Sequence, residues 1–82
     1  LQGHDQSMLQ QCLNSLELAC CDSEWSVRYA AVAALEQRLQ QSLPSDLDLR
    51  ARALLRHRSQ QDMDDTLVVR LRALLALERL AA

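Results

Sequence analysis

The stretch DSEWSVRYAAVAALEQRL, residues 22–39, decides the fold, because an acidic turn leads directly into an amphipathic segment. Asp22 or Ser23 is a suitable cap for the first turn of a helix. The apolar residues that follow at the spacing of one helical face are Val27, Ala31, Ala34, Leu35 and Leu39. The stretch therefore predicts a helix over residues 23–40 with these side chains directed inward.

A second helix is predicted over residues 7–20, where Ser7 and Gln10 form a capping box. Its apolar stripe consists of Leu9, Cys12, Leu13, Leu16 and Cys20. Pro44 ends the helix that precedes it, and Ser45 is the predicted cap of the next one, over residues 46–59. The inward positions of that third segment are Leu47, Ala51, Leu54 and Leu55.

The last helix is predicted over residues 65–80, after the polar turn QQDMDD, with Asp64, Asp65 or Thr66 as its cap. Apolar side chains cover more than half of its circumference, so we expect it to be sandwiched or to need a partner. The chain as a whole has one Gly, one Pro and 2% aromatic residues. Such a composition favours helix, and the predicted class is all-α.

Charge and cysteine content exclude several kinds of function. A net charge of −2 provides no basic surface for nucleic acid. No apolar run approaches the length of a membrane span. Three cysteines form no CxxC pair and have no nearby His at zinc-finger spacing, so neither a disulfide framework nor a metal site is predicted. A reducing, cytoplasmic compartment is expected.

The opening stretch recurs later in the chain. With an offset of 42 residues, seven of the fifteen positions from 22 to 36 are identical. The repeated residues are Asp22, Val27, Arg28, Ala31, Ala34, Leu35 and Glu36, which correspond to Asp64, Val69, Arg70, Ala73, Ala76, Leu77 and Glu78. A period near 40 with two helices in each unit is typical of HEAT-type solenoids. The predicted architecture is a short right-handed α-solenoid of about four helices in antiparallel pairs.

The pattern of an acidic turn, Val-Arg, a following Ala and then Ala-Leu resembles the HEAT-like repeat of the phycobilisome lyase class. DSEWSVRYAAVAALEQRL carries it, and DMDDTLVVRLRALLALERL carries it more loosely. In this frame residues 7–20 are the second helix of one repeat, and residues 23–40 and 65–80 are each the first helix of a later one. Because the chain starts at Leu1, we expect residues 1–82 to be one domain of a longer repeat protein.

The resemblance implies a protein-binding scaffold that belongs to a bilin lyase, or to a lyase-like chaperone, acting on phycobiliproteins or phycobilisomes in cyanobacteria. A phycobiliprotein subunit or a second lyase subunit is the implied partner, and phycobilin is implied for the longer protein rather than for this domain. Two alternatives stay open. The domain could bind the chromophore and transfer it, with Cys20 or Cys21 as a transient site, or it could be a HEAT-like assembly factor unrelated to bilins.

The candidate partner-binding residues are Trp25 and Tyr29, one turn apart on the second helix, and Arg50, Arg52 and Arg56 on the third. Trp is frequent at binding hot spots, although the equivalent of Trp25 is Leu67, which favours closure of the core. The arginines form the densest positive patch and suit an acidic partner or the propionates of a tetrapyrrole.

The recurrent Asp and Arg residues have a structural interpretation. Asp22 can cap a helix, and Arg28 can reach back to that turn or across to the acidic turn of the adjacent repeat. Asp64 and Arg70 repeat this geometry. No nucleophile, base and orienting group come together in the sequence, so no catalytic residue is predicted in this domain, and the activity of the longer protein stays open.

Overall fold

The computed structural model of the protein describes residues 2–82, and for residues 2–5 it describes the backbone alone. Four helices make up this part of the chain. They are α1 (Gln2–Cys20), α2 (Trp25–Leu39), α3 (Ser45–Arg58) and α4 (Leu67–Ala81). No strand occurs among the described residues, and none of their helices is long and apolar enough to cross a membrane.

The four helices alternate between two layers. α2 and α4 pack side by side and form one layer, whereas α1 and α3 form the other. α2 contacts all three other helices, but α1 and α4 do not touch. The backbone occupies 40 × 29 × 16 Å, and the smallest dimension fits two layers of helices whose axes lie about 8–10 Å apart. The predicted all-α, HEAT-like repeat fold is confirmed. The right-handed superhelix and the domain boundaries stay predictions.

The core lies between the two layers and contains side chains from every helix. Leu13, Leu35 and Leu55 are its largest fully buried members, one from each of the first three helices. α4 contributes Val69 and the small residues Ala73 and Ala76, all with no exposed surface. Small side chains at these positions let α4 approach α2 closely, and larger ones would overpack the contact.

Two predicted helix starts are wrong. α1 begins at Gln2 rather than at Ser7, since the residues before Ser7 are compatible with a helix and the backbone continues through the predicted capping box. α3 begins at Ser45 itself, so this residue is not the cap. Pro44 occupies the cap position with an extended backbone, as expected for a residue whose fixed φ suits a helix entrance.

The cap of α2 lies slightly later than predicted, whereas the cap of α4 is one of the three predicted residues. Glu24 and Thr66 occupy the cap positions, and neither makes a side-chain hydrogen bond to its helix. Asp22 and Asp64 instead accept the backbone N–H two residues along, at 2.9 and 3.0 Å. Each aspartate therefore orders the turn that leads into the helix rather than the first helical turn.

Val27 was predicted to point inward, but 37% of its surface is exposed. Its repeat equivalent Val69 is completely buried. The difference follows from position in the stack, because α2 covers the Val69 side of α4 and no described helix covers the Val27 side of α2. Arg28 is buried instead of Val27.

Candidate functional site

Arg28 is the centre of the polar interior. Its Nε donates to Oδ2 of Asp64 at 2.9 Å, and its Nη2 donates to Oδ1 of Asp64 at 3.3 Å and to the hydroxyl of Thr66 at 2.8 Å. Its Nη1 donates to the backbone carbonyl oxygens of Asp22 and Ser23, at 2.7 and 3.1 Å. All five N–H groups of the guanidinium therefore have acceptors. Arg28 reaches both its own turn and the acidic turn of the next repeat.

Asp64 is the matching acceptor, and its side chain has no exposed surface. In addition to Arg28, it accepts a hydrogen bond from Nη1 of Arg58 at 3.3 Å. The same Arg58 nitrogen donates to the carbonyl oxygen of Cys20 at 2.9 Å. One carboxylate thus joins the end of α1, the first turn of α2, the end of α3 and the turn before α4.

The charged state of this cluster is strongly favoured. Burial alone would raise the pKa of Asp64, but hydrogen bonds from Arg28 and the Thr66 N–H, together with the charges of Arg28 and Arg58, hold that pKa below its ordinary value of 3.8. The hydrogen bond with Asp64 raises the pKa of Arg28. A buried carboxylate with two arginine partners stays ionised at neutral pH.

The same geometry begins again one repeat later. Nη1 of Arg70 donates to the backbone oxygen of Asp64 at 2.8 Å, as Arg28 does to Asp22. Among the described residues, however, Arg70 has no carboxylate partner, and the exposed Asp22 carboxylate has no arginine partner. The cross-repeat pair therefore occurs once, between the two acidic turns.

A second buried ion pair joins α2 and α4. Glu36, which is 2% exposed, lies 2.7 Å from Nη1 of Arg72 and 3.6 Å from Nη1 of Arg79. The repeat marks Glu36 as a recurrent residue, but its two partners stand opposite Ala30 and Gln37 and do not recur. The repeat comparison therefore could not find this pair.

Trp25 and Tyr29 lie together on the outer surface of α2. Their rings meet edge to face, with centroids 6.4 Å apart and an interplanar angle of 89°. Half of the Trp25 surface is exposed, so the ring does not close the core. Tyr29 also borders a shallow apolar groove of about 190 Å³ between α2 and α4, whose other lining residues are Val68, Leu71, Arg72 and Leu75.

Two of the three candidate arginines of α3 already form ion pairs within the chain. Arg50 pairs with Glu17 of α1 and donates to the side chain of Asn14 at 2.7 Å. Arg52 pairs with Asp48 one turn earlier, at 2.7 Å. Arg56 is exposed and has no ion pair within the described part of the chain. Their role in partner binding stays a prediction.

The three cysteines are free and differ in environment. Burial raises the pKa of the Cys20 thiol to about 11, so it is protonated and unreactive at neutral pH. Cys12 is half-buried, and Cys21 is exposed. No group of three or more potential metal ligands lies together among the described side chains. His4 lies where the structure describes no side chains, and His57 is exposed at the end of α3.

Comparison with known protein families gives one match. The HEAT repeat model matches residues 8–37, which comprise most of α1, the acidic turn and α2. The match places α1 and α2 in one repeat, so it does not support the predicted frame in which they belong to two successive repeats. No curated protein and no solved structure matches the chain. The match supports a HEAT-like repeat protein, whereas the phycobilisome lyase class that the sequence resembles stays a prediction.

Asp64→Asn tests the value of the buried carboxylate. The amide keeps the shape but leaves Arg28 and Arg58 without their charged partner, so we expect the free energy of unfolding to fall by about 3–5 kcal/mol. Asp22→Asn is the matched control, because Asp22 has the equivalent place in the exposed turn. It should cost less than about 1 kcal/mol. Urea unfolding followed by circular dichroism measures both, and equal losses would contradict the assignment.

The lowered pKa of Asp64 predicts a pH dependence. Its contribution to stability is complete above the ordinary value of 3.8 and is lost as the pH falls through the lower value of the folded state. The stability difference between the natural chain and Asp64→Asn should therefore shrink as the pH falls below 3.8. Urea unfolding at a series of pH values measures this, and a pH-independent difference would exclude the carboxylate charge as its cause.

Proposed function

We propose that the chain is a protein-binding scaffold whose partner contacts the outer surface of α2 and α4. The observation that carries the proposal is a set of exposed apolar side chains, one on α2 and four on α4. Its members are Trp25, Leu67, Val68, Leu71 and Leu75, whose exposed fractions are 50%, 59%, 43%, 54% and 39%. Exposed apolar patches mark interaction surfaces in globular proteins.

The centre of this surface has the features of an interface hot spot. The Trp25 and Tyr29 rings support each other, so little side-chain freedom is lost when a partner covers them. Arg72 lies at the edge of the groove and is anchored from below by Glu36. A partner segment with apolar side chains therefore finds a rigid floor. The two-layer fold supports this use, since HEAT-like repeats commonly mediate protein interactions.

The finer proposal is that the partner is a phycobiliprotein subunit and that the chain belongs to a bilin lyase or a lyase-like chaperone. Its support is the resemblance of the Asp22–Leu39 stretch to the repeats of that class. Three free cysteines fit the reducing, cytoplasmic setting that this proposal needs. Direct transfer of bilin by this domain is less well supported, because Cys20 is buried with a raised pKa and leaves the exposed Cys21 as the accessible thiol.

Titration with a purified apo-phycobiliprotein subunit tests the proposal through the fluorescence of Trp25, the single tryptophan of the chain. We expect the subunit to change the emission and Leu71→Arg to weaken binding by about tenfold or more, as for a hot-spot residue. Leu49→Arg is the matched control, because Leu49 is 66% exposed on α3, away from this surface. It should leave the affinity within about twofold.

Free phycocyanobilin provides the comparison for the alternative. A shift of its absorbance on mixing with the chain would favour direct chromophore binding over the scaffold. If the apo-subunit leaves the emission of Trp25 unchanged, the phycobiliprotein assignment is wrong. If the subunit binds, and Leu71→Arg and Leu49→Arg weaken its binding equally, the α2–α4 surface is not the contact.

A further inference from the structure

The contact between α2 and α4 shows how one unit of this chain receives the next. α2 lies in the groove between α3 and α4 and presents a ridge to it. The ridge comprises Arg28, Val32, Leu35, Glu36 and Leu39, all of them buried. Arg28 binds the acidic turn at Asp64, and Glu36 binds Arg72 and Arg79 further along α4. Two charged contacts thus flank an apolar strip and fix the register.

α4 carries an equivalent ridge, whose residues no described helix fully covers. The matching residues are Arg70, Leu74, Leu77, Glu78 and Ala81. Leu74 is 49% exposed, whereas its counterpart Val32 has no exposed surface. Glu78 is exposed although Glu36 is buried, and Arg70 makes a backbone contact with its own turn but no ion pair within the described residues. The ridge positions Leu74 and Glu78 are therefore more exposed than their counterparts on α2.

The opposite end of the molecule carries an open groove between α1 and α2. Met8, Leu9, Cys12 and Arg38 line it, and its volume is about 390 Å³. It opens away from α3, because Asn14 and Glu17, which contact Arg50 of α3, lie on the other side of α1. Asp22 lies just before α2, at one end of this groove. Asp64 lies just before α4 and has the equivalent place in the groove that α2 occupies. The exposed Asp22 carboxylate accepts one hydrogen bond, from the Glu24 N–H.

We propose that a second copy of the chain binds head to tail, with the α4 ridge of one copy seated in the α1–α2 groove of the other. Arg70 then donates to Asp22 of the second copy, as Arg28 donates to Asp64 within one chain. Leu74 covers the apolar groove wall, and Glu78 faces Arg38. Charges of opposite sign thus meet at both ends of the apolar strip.

The order of the layers is compatible with this arrangement, because α1 and α3 lie in one layer and α2 and α4 lie in the other. A second copy placed after α4 continues the alternation, with its α1 beside α3 and its α2 beside α4. A patch from one end of a molecule that binds a different patch at the other end forms a heterologous contact, which allows further copies to add.

The contact between copies is weaker than the one within the chain. Ala30 and Gln37 stand on α2 where α4 has Arg72 and Arg79, so Glu78 gains Arg38 alone instead of two arginines. The small side chain of Ala30 still permits close approach of the helices. Association is therefore expected to depend on protein concentration.

Sedimentation velocity between about 10 μM and about 1 mM tests the proposal, a range in which weak association becomes measurable. The weight-average mass of the natural chain should rise with concentration. Arg70→Glu and Asp22→Arg each reverse one end of the charge pair and should each weaken association by about tenfold or more. Leu74→Arg blocks the same ridge without altering the turn, and Leu49→Arg, on the exposed side of α3, should associate like the natural chain.

Mixing the two charge variants identifies the geometry. R70E keeps a natural α1–α2 groove and D22R keeps a natural α4 ridge, and the two substituted ends also carry opposite charges, so an equimolar mixture should regain association although each variant alone stays monomeric. A mixture that stays monomeric would overturn the proposal. So would a natural chain that is monomeric at every concentration, or a D22R variant that associates as well as the natural chain, since two α4 ridges would then pair with each other.

Discussion

The ion pair between Arg28 and Asp64 is the contact on which the arrangement of the helices depends. An isolated charge in the core would be too costly to keep, and neither residue is isolated, because every donor of Arg28 and both oxygens of Asp64 are used. These bonds run to the backbone or side chains of both acidic turns and to Arg58. The pair therefore fixes where α4 starts relative to α2. Apolar packing alone would specify this register less strictly.

Apolar packing between α2 and α4 adds to the alignment that the Arg28–Asp64 pair provides. α4 packs beside α2 and carries two fully buried alanines, while Arg28 and Glu36 of α2 pair with residues in and before α4. Small residues permit the close approach, and the charged residues at both ends of the strip prevent one helix from sliding along the other. The exposed remainder of α4 is long and apolar, which leaves this helix with surface for a partner on the outside and for another unit at the edge.

The periodicity of the apolar residues and the 42-residue repeat were enough to predict four helices, their approximate limits and the HEAT-like class. The Arg28 interaction could be predicted in outline, because Asp and Arg recur in register with the core. Glu36 with Arg72 could not, since the arginine is not part of the repeat. The inward direction of Val27 was also wrong, because a repeat pattern describes a unit inside a stack and cannot tell which face lacks a neighbour. Trp25 is also exposed, as is its repeat equivalent Leu67.

A double-mutant cycle between Arg28 and Asp64 tests most directly whether this pair fixes the register. Arg28→Met, Asp64→Asn and the double variant are unfolded in urea, and the coupling energy is taken from the four free energies of unfolding. Direct contact through two hydrogen bonds predicts a coupling of about 1–3 kcal/mol, so the double variant should lose much less stability than the sum of the single losses. Losses that add to within about 0.5 kcal/mol would contradict the account, because the two residues would then stabilise the fold independently.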